Sequence, residues 1–440
     1  MQTLLVLLSL SFAASTPLGT SASTLLGTSA STLLGTSQED PAEFRKKVDQ
    51  AIDKGVEWLK KRQQPSGDFG ESQGPTYGPG KAYPNKPGIT AFCLLALLKS
   101  DVPHNDPVIT KGLSFLQDYV GNKGNLISNY DRGVILMALE AFHESGAAEA
   151  LKKKGQKVSE RVGDFKEPKY TPSAPIQQFI AGLVRPLVEE QTKVGGWRYG
   201  KGFGLVGDAE DISCTQIVLL GLKSATRMKS VVDPTAFKRA LDFVISSQEK
   251  EGPKVERPND YRPGDRGTYA SLGNDRARGW AYIKKGSRPD EEKVCGSMTC
   301  AGIGSLLISK SIIGKTLGKK LNDEIDQSVY DGFAWLTTHW SVDENPNQGK
   351  ARHFYHLYGI ERVGTLGLFE KISGHWWFRE GAEVLIKGQQ ADGRWDNKDE
   401  IVPTDTLDTC YALLFLRRGT APVGDVITPR TDSSRNESGR

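Results

Sequence analysis

One short motif occurs three times along this chain at the same spacing, and it constrains the fold more than any other feature. A glutamine is followed by a glycine four positions later and by an aromatic residue two positions after that, at 63–69, 191–197 and 389–395. The glycine gives the backbone the freedom to turn at the end of a helix, and the ring packs back on its neighbour. The glutamine amide is well placed to hydrogen-bond backbone groups freed at that helix end.

Two kinds of helix alternate around these turns. Segments such as 54–62 and 239–248 carry a polar face, whereas four other segments are apolar nearly all round. Each apolar segment opens on a threonine with a leucine seven positions later: Thr90, Thr215, Thr299 and Thr409. A helix without a polar face must be covered on every side. The alternation therefore predicts an outer layer of amphipathic helices and an inner layer of apolar helices.

The helices form six pairs. The first members start near Ala51, Pro107, Pro175, Pro234, Ile325 and His375, and the second members start near Ile89, Asp131, Ile212, Ser297, Ala351 and Thr406. No stretch shows convincing strand alternation. The pattern predicts an all-α fold, a single (α/α)6 toroid with six inner and six outer helices, because closure leaves no unit with an exposed apolar face. The polar insert 251–293 is expected to fold over one rim as a functional loop.

The two ends of the chain differ from this body. Residues 1–14 contain a short apolar run and small residues suited to cleavage, which predicts a secretory signal. Residues 15–40 repeat an uncharged eight-residue unit and are expected to be a spacer, and 422–440 are expected to be a disordered tail. The toroid then spans 41–421. This arrangement predicts export to the periplasm or cell envelope; if 1–14 is only an apolar leader, the protein is cytoplasmic.

Composition excludes several classes of function. The net charge of +4 over 440 residues is small and the basic residues are scattered, which argues against nucleic acid as a partner. No apolar run approaches the roughly 18 residues of a transmembrane helix, so no integral membrane segment is predicted. The five cysteines include no CxxC pair, which favours buried thiols over disulfides or a zinc knuckle. No cofactor is predicted.

The repeat supports a resemblance to a known family. Segment 54–69 reads Lys-Gly-x-x-Trp-Leu-x-x-x-Gln-x-x-x-Gly-x-Phe, which resembles the repeat of squalene cyclases and protein prenyltransferase β-subunits. The resemblance covers about 41–419 and extends to exported bacterial prenyltransferase/squalene-oxidase repeat proteins. It implies a terpenoid cyclase-like α/α toroid whose apolar central cavity takes an isoprenoid-like small molecule. The motif is specific for the fold and not for an activity, so function must be argued from the site.

An acidic cluster precedes one of the apolar helices. Asp208-Ala-Glu210-Asp211 looks like the Asp-x-Asp-Asp acid of class II terpene cyclases, although Glu210 stands where that family has aspartate. The resemblance implies acid-initiated cyclisation of an isoprenoid, with Glu210 protonating an alkene and Asp208 and Asp211 as its electrostatic partners. Such a donor must be a protonated carboxyl in apolar surroundings. Alternatively, Asp211 caps the helix and the other two acids interact with its positive end. Ligand or cation binding is a third interpretation.

Seven further residues are predicted to contact substrate. His353 and His356 share a helix face, where they could bind metal or move protons, and the aromatic rings could stabilise a cation through their π faces. The alternative is that most of these rings belong to an ordinary core. The seven are Trp197, Tyr199, His353, Tyr355, His356, Tyr358 and Trp376.

A zinc site is the less favoured alternative. Asp408 and Cys410 resemble the Asp-x-Cys ligands of prenyltransferase β-subunits, but no histidine follows Cys410, so the main prediction is that there is no metal. If the chain is an enzyme, the sequence favours an isoprenoid cyclase over a zinc prenyltransferase. The competing hypothesis is a non-catalytic exported toroid that binds an apolar ligand or a protein partner.

A glycosidase is also possible on an α/α barrel, because it needs two carboxylates across a cleft. The sequence leaves open a pair made of Asp208 or Glu210 with Asp265 or Asp275.

Overall fold

The structure is a computed structural model that describes residues 40–70, 86–123, 127–153, 172–200, 210–256, 268–271, 273–283, 292–398 and 405–420. The chain divides into Met1–Glu43 and Phe44–Arg440, and the helical body belongs to the second unit, although its first helix begins at Pro41. Apart from Asp40, the predicted signal, spacer and tail lie outside the described residues.

Twelve α-helices occupy the described ranges, and they alternate between two layers. The outer helices are α1 (Pro41–Lys61), α3 (Pro107–Lys123), α5 (Ala174–Glu189), α7 (Pro234–Ser247), α9 (Lys319–Thr338) and α11 (Trp377–Gly388). The inner helices are α2 (Lys86–Lys99), α4 (Asn129–Lys153), α6 (Ile212–Arg227), α8 (Gly296–Ile313), α10 (His353–Leu366) and α12 (Asp405–Leu416). The starts agree with the sequence pattern, except that α1 and α9 begin earlier than expected.

The inner helices close into a ring. Each contacts the next in chain order, and α12 packs back on α2. The outer helices pack against the inner ones from outside. The inner helices are apolar because the ring covers them on every side. One of them, α8, is long and apolar enough to cross a membrane, but 89% of that apolar window is buried inside the ring. The predicted all-α (α/α)6 toroid is confirmed.

The glutamines of the repeat tie neighbouring outer helices together. The amide nitrogen of Gln191 donates to the carbonyl of Gly195 at 2.7 Å, within its own turn, and to the carbonyl of Ala236 in α7 at 2.9 Å. Gly195 has φ +103°, and a Cβ there would collide with the Arg239 carbonyl, so only glycine fits. The other copies make the same two bonds: Gln63 to Gly67 and Val108, and Gln389 to Gly393 and Ala51. The last copy thereby joins the end of the ring to its beginning.

The aromatic residue of each turn is fixed by a threonine. The backbone N–H of Trp197 donates to the Thr215 hydroxyl at 3.0 Å, and its indole donates to the Leu187 carbonyl at 2.6 Å. The other turns repeat the first of these bonds, from Phe69 to Thr90, from Trp280 to Thr299 and from Trp395 to Thr409. The threonines recur at the start of inner helices because their hydroxyls receive a buried N–H group that would otherwise be unpaired.

The insert interrupts a fourth copy of the turn. Gln248 donates to the carbonyls of Arg278 and, in α9, Ser328, as the other glutamines donate to their turn and to the next outer helix. The Trp280 indole donates to the Val244 carbonyl at 2.8 Å. The insert is polar as a whole, yet its described parts supply buried side chains, including Trp280. A two-residue strand, β1 (Thr268–Tyr269), pairs in parallel with β2 (Lys371–Ile372).

Candidate functional site

The structure describes two members of the acidic cluster, Glu210 and Asp211; Asp208 lies outside the described residues. Asp211 is the N-cap of α6, and its carboxylate accepts the Cys214 N–H at 2.5 Å. The same carboxylate pairs with the Arg198 guanidinium at 3.3 Å and is almost fully buried. Both contacts favour the charged form of Asp211, as expected of a helix cap.

Glu210 lies against the turn that precedes α6. Glu210 is partly buried. A Cβ added to Gly196 would lie 2.8 Å from the Glu210 Cβ and would also collide with the Phe243 ring of α7. Proton donation by Glu210 therefore stays a prediction. Of the possible glycosidase partners, Asp265 is outside the described residues, and Asp275 accepts hydrogen bonds from Tyr269 and Gln327. Asp275 thus helps to hold the insert on α9.

The two histidines of α10 share a helix face, as their spacing predicted. His353 Nε2 lies 2.8 Å from the Val342 carbonyl, and His356 Nε2 lies 3.1 Å from the Ser341 carbonyl. Burial lowers the pKa of His356 to about 3 and also lowers that of His353. Both rings are therefore neutral near pH 7 and donate to two consecutive carbonyls of one loop. A role in metal binding or proton transfer stays a prediction.

The zinc alternative gains no support from the described part of the chain. Asp408 accepts the Asn397 N–H at 2.9 Å, and the Cys410 sulfur lies 3.7 Å from the Cys93 sulfur of α2. No three His, Cys, Asp or Glu side chains within the described ranges are grouped so that they could hold a metal ion.

Six aromatic side chains meet inside the inner ring, and we call them the aromatic cluster: Phe92, Tyr130, Tyr199, Tyr355, Tyr358 and Tyr411. They come from α2, α4, α10, α12 and the turn before α6. Tyr411 lies at the middle, with ring centroids 5.3 Å from Phe92, 5.4 Å from Tyr355 and 5.7 Å from Tyr358. Tyr130 stacks on Tyr199 at 6.2 Å.

The aromatic cluster lies at the centre of the ring because its contacts join inner helices that are not neighbours. The Ser213 hydroxyl of α6 is 3.3 Å from the Tyr355 hydroxyl of α10, although α8 stands between these helices. Burial raises the pKa of Tyr358 to about 12 and those of Tyr130 and Tyr411 well above the usual value. The hydroxyls are therefore protonated at neutral pH and can donate hydrogen bonds.

An arginine lies against the aromatic cluster, and no described residue hydrogen-bonds its guanidinium. The Arg362 guanidinium carbon is 4.1 Å from the centroid of Tyr358 and 5.3 Å from that of Tyr355. Its side chain is 0% exposed, and none of its three nitrogens makes a hydrogen bond within the described residues. Gln216 of α6 is also 0% exposed, and neither its amide oxygen nor its nitrogen has a partner there. Such groups are rare, since nearly all buried polar atoms are hydrogen-bonded.

Three of the seven residues predicted to contact substrate, Tyr199, Tyr355 and Tyr358, belong to the aromatic cluster. Two others lie elsewhere: Trp197 is buried in its turn, and Trp376 is 49% exposed at the start of α11 with the Lys371 ammonium over its ring. The sequence analysis missed Phe92, Tyr130, Tyr411, Arg362 and Gln216. Of these, only Gln216 had a sequence signal, a polar side chain inside the apolar run 212–222.

The chain has distant likenesses among solved structures. Neither a family model nor a curated protein matches it. The α-1,6-mannanase GH76A of Salegentibacter sp. HEL1_6, as an inactive variant, aligns at 12% identity over 85% of this chain and 99% of its own, with a TM-score of 0.48. The type II terpene cyclase MstE from Scytonema aligns at 12% identity over 86% and 98%, with a TM-score of 0.33. At this identity and TM-score, the likenesses establish neither mannanase activity nor terpene cyclase activity for this chain.

Proposed function

We propose that the toroid binds a small, mainly apolar molecule of isoprenoid type at the aromatic cluster. The observation that carries this proposal is the convergence of aromatic side chains from four inner helices on the centre of the ring. Aromatic walls with a few placed hydroxyls are typical of small-molecule sites, because the rings supply apolar surface and the hydroxyls fix orientation. Tyr130 and Tyr199 are partly exposed, so the cluster has an accessible side.

The charge beside the cluster favours binding over a carbocation reaction at that end. The Arg362 guanidinium already occupies the faces of Tyr355 and Tyr358, which are the surfaces that would stabilise a carbocation. Two positive charges about 5 Å apart repel by roughly 3 kcal/mol at an effective dielectric constant near 20. A ligand with a neutral or negative group on this side therefore fits better than a cationic intermediate.

Extraction and titration test the binding proposal. Mass spectrometry of solvent extracts of the purified protein should detect a co-purifying lipid, and calorimetry should show binding of a fifteen-carbon isoprenoid alcohol. Tyr411→Ala should weaken that binding at least tenfold because Tyr411 contacts three other rings of the cluster. Trp376→Ala is the matched control and should leave the affinity unchanged. An empty protein that binds no such alcohol would contradict the proposal.

Acid-initiated cyclisation is a second candidate, and one observation favours Glu210 as its donor. Asp211 caps α6 and pairs with Arg198, so Glu210 is the described carboxyl of the pair that is not engaged in these two contacts. Incubation with squalene and polyprenyl substrates should then give a cyclic product, and Glu210→Gln should abolish it. The exposed Glu189→Gln on α5 is the control. No turnover across the panel would remove this candidate and leave binding as the function.

Export remains part of the proposal. It rests on residues 1–14, and cell fractionation of the full chain beside a variant that lacks these residues tests it. Recovery of both proteins in the cytoplasm would contradict export without affecting the ligand site.

A further inference from the structure

We infer that the ligand carries an acidic group, a carboxylate or a phosphate, and that Arg362 binds this group with help from Gln216. The inference rests on the proposed function, because it names the chemical class of the molecule that occupies the aromatic cluster. The aromatic rings alone indicate an apolar ligand, and Arg362 indicates that one end of this ligand is acidic.

Arg362 is a permanent positive charge that forms no ion pair with a carboxylate among the described residues, and its nearest polar neighbour is the hydroxyl of Tyr358. A guanidinium stays protonated in proteins and offers five N–H donors. Contact with the rings of Tyr355 and Tyr358 compensates part of the cost of its burial, but a ring face accepts no in-plane hydrogen bond. Burying a charge without a partner is strongly unfavourable, so such a group needs an explanation beyond packing.

Nearby acidic groups do not neutralise it. The neighbouring Glu361 accepts hydrogen bonds from Thr365 and Thr420, and no ion pair joins Glu361 to Arg362. Burial raises the pKa of Glu361 to about 7, so much of this carboxyl is protonated at neutral pH. Cys300 also lies close, but burial raises the pKa of its thiol to about 12. Within the described residues the guanidinium forms no ion pair, and Glu361 compensates its charge only in part.

Gln216 of α6 approaches α8, the inner helix that lies between α6 and α10. A Cβ on Gly304 of α8 would be 2.6 Å from the Gln216 amide nitrogen, so the glycine makes room for this side chain. On α10, Gly359 lies about one helical turn before Arg362 and packs against Cys300 of α8. Cys300 in turn lies about one helical turn before Gly304 on α8. Arg362 and Gln216 therefore approach α8 at adjacent turns.

The geometry of the donors suits an oxyanion. A carboxylate or phosphate pairs with the planar fork of a guanidinium through two parallel hydrogen bonds, which a hydroxyl group cannot do. The Gln216 amide and the protonated tyrosine hydroxyls supply neutral donors for the remaining oxygen lone pairs. The apolar part of the ligand then lies against the rings, and its acidic group lies at Arg362.

Three probes with one tail test the inference on the full chain. The probes are a fifteen-carbon isoprenoid alcohol, the phosphate monoester of this alcohol and the corresponding carboxylate. Calorimetry should show that at least one of the two acids binds at least tenfold more tightly than the alcohol. Whichever acid binds more tightly identifies the acidic group. Arg362→Met should reduce the preference to less than threefold by weakening the binding of the two acids much more than that of the alcohol. Arg362→Lys should keep part of the preference, since it keeps the charge but loses the fork.

The controls separate this inference from the proposed function. Arg185→Met changes an exposed arginine of α5 and should leave all affinities unchanged; Gln216→Leu should weaken acid binding more than alcohol binding. If wild-type protein binds the alcohol and both acids equally, the acidic-group inference is overturned and the aromatic site stands. If none of the probes binds, both are overturned. Equal weakening of all probes by Arg362→Met would show a structural arginine and would also overturn the inference.

Discussion

In the turn between α5 and α6, the Gln191 amide nitrogen donates to two carbonyls and the Trp197 indole donates to a third, all within one buried network. At the centre of the inner ring, Arg362 and Gln216 are buried as deeply, yet their side chains make no hydrogen bond within the described residues. The turns occur at four places in the described part of the toroid, whereas the central arginine belongs to one helix. The Gln191 amide oxygen of the turn is also without a hydrogen-bond partner, so an unpaired neutral atom alone does not indicate a ligand. What distinguishes the centre is the buried charge of Arg362, none of whose nitrogens is hydrogen-bonded within the described residues.

The comparison makes opposite predictions for the two regions. Removing a paired group from a turn leaves its partners unsatisfied and should destabilise the fold. Removing an unpaired group from the centre relieves a desolvation cost and should affect binding more than folding.

The largest expected effect is on the aromatic residue of a turn. Trp197 is 0% exposed, so Trp197→Ala should lower the free energy of unfolding by about 3–5 kcal/mol, through lost apolar contacts and a residual cavity. Urea denaturation measures the loss, with Trp376→Ala, a change at a 49% exposed ring, as the control of near-zero effect. Similar losses for both tryptophans would show that the turns do not hold the toroid together.

The next effect concerns the pH dependence of the buried carboxyl beside Arg362. The folded pKa of Glu361 is about 7, above the ordinary value of 4.5, so the folded state binds this proton more tightly. The resulting stability is present below pH 4.5 and is lost as the pH rises through 7. Glu361→Gln removes this titration. From pH 5 to pH 8 the free energy of unfolding of the variant should therefore rise by about 2–3 kcal/mol relative to that of the wild type.

Urea denaturation at a series of pH values checks this difference. Glu383→Gln, at an exposed glutamate of α11, should give a constant difference from the wild type. A constant difference for Glu361→Gln as well would mean that Glu361 is ionised throughout and can serve as the counter-ion of Arg362, which would weaken the contrast between the two regions.

The smallest of the three effects is on a single amide. Gln191→Leu leaves the carbonyls of Gly195 and Ala236 without their donor, which should cost about 1–3 kcal/mol of stability. Gln178→Leu, at an exposed glutamine of α5, the helix that precedes this turn, should change stability little. Chemical denaturation of the two variants under identical conditions measures the difference; equal stabilities would mean that water replaces the amide at no cost.

The toroid could be predicted from the sequence because its determinants are local and repeated. The spacing from Gln191 to Trp197 and the threonine at the start of each following helix are visible within short windows. The fourth turn was only half visible, because the insert separates Gln248 from Trp280, the aromatic residue that completes it.

The candidate site could be predicted only in part, for a physical reason. Tyr355 and Tyr358 stood out because they are close together in the sequence. Phe92 and Tyr411 meet only because α12 packs back on α2, and no local pattern records that closure. Arg362 reads in the sequence as one more basic residue of a helix, since neither its burial nor its lack of a partner is a property of a short window.

Thermal unfolding of ligand-free Arg362→Met beside ligand-free wild type tests most directly the claim that the centre of the ring is built for a ligand. Methionine fills similar space without a charge to desolvate, so the variant should be more stable than the wild type by about 1 kcal/mol or more. It should also lose the preference for acidic probes. A loss of stability as large as that of Gln191→Leu would contradict the account, because Arg362 would then be a structural residue like those of the turns.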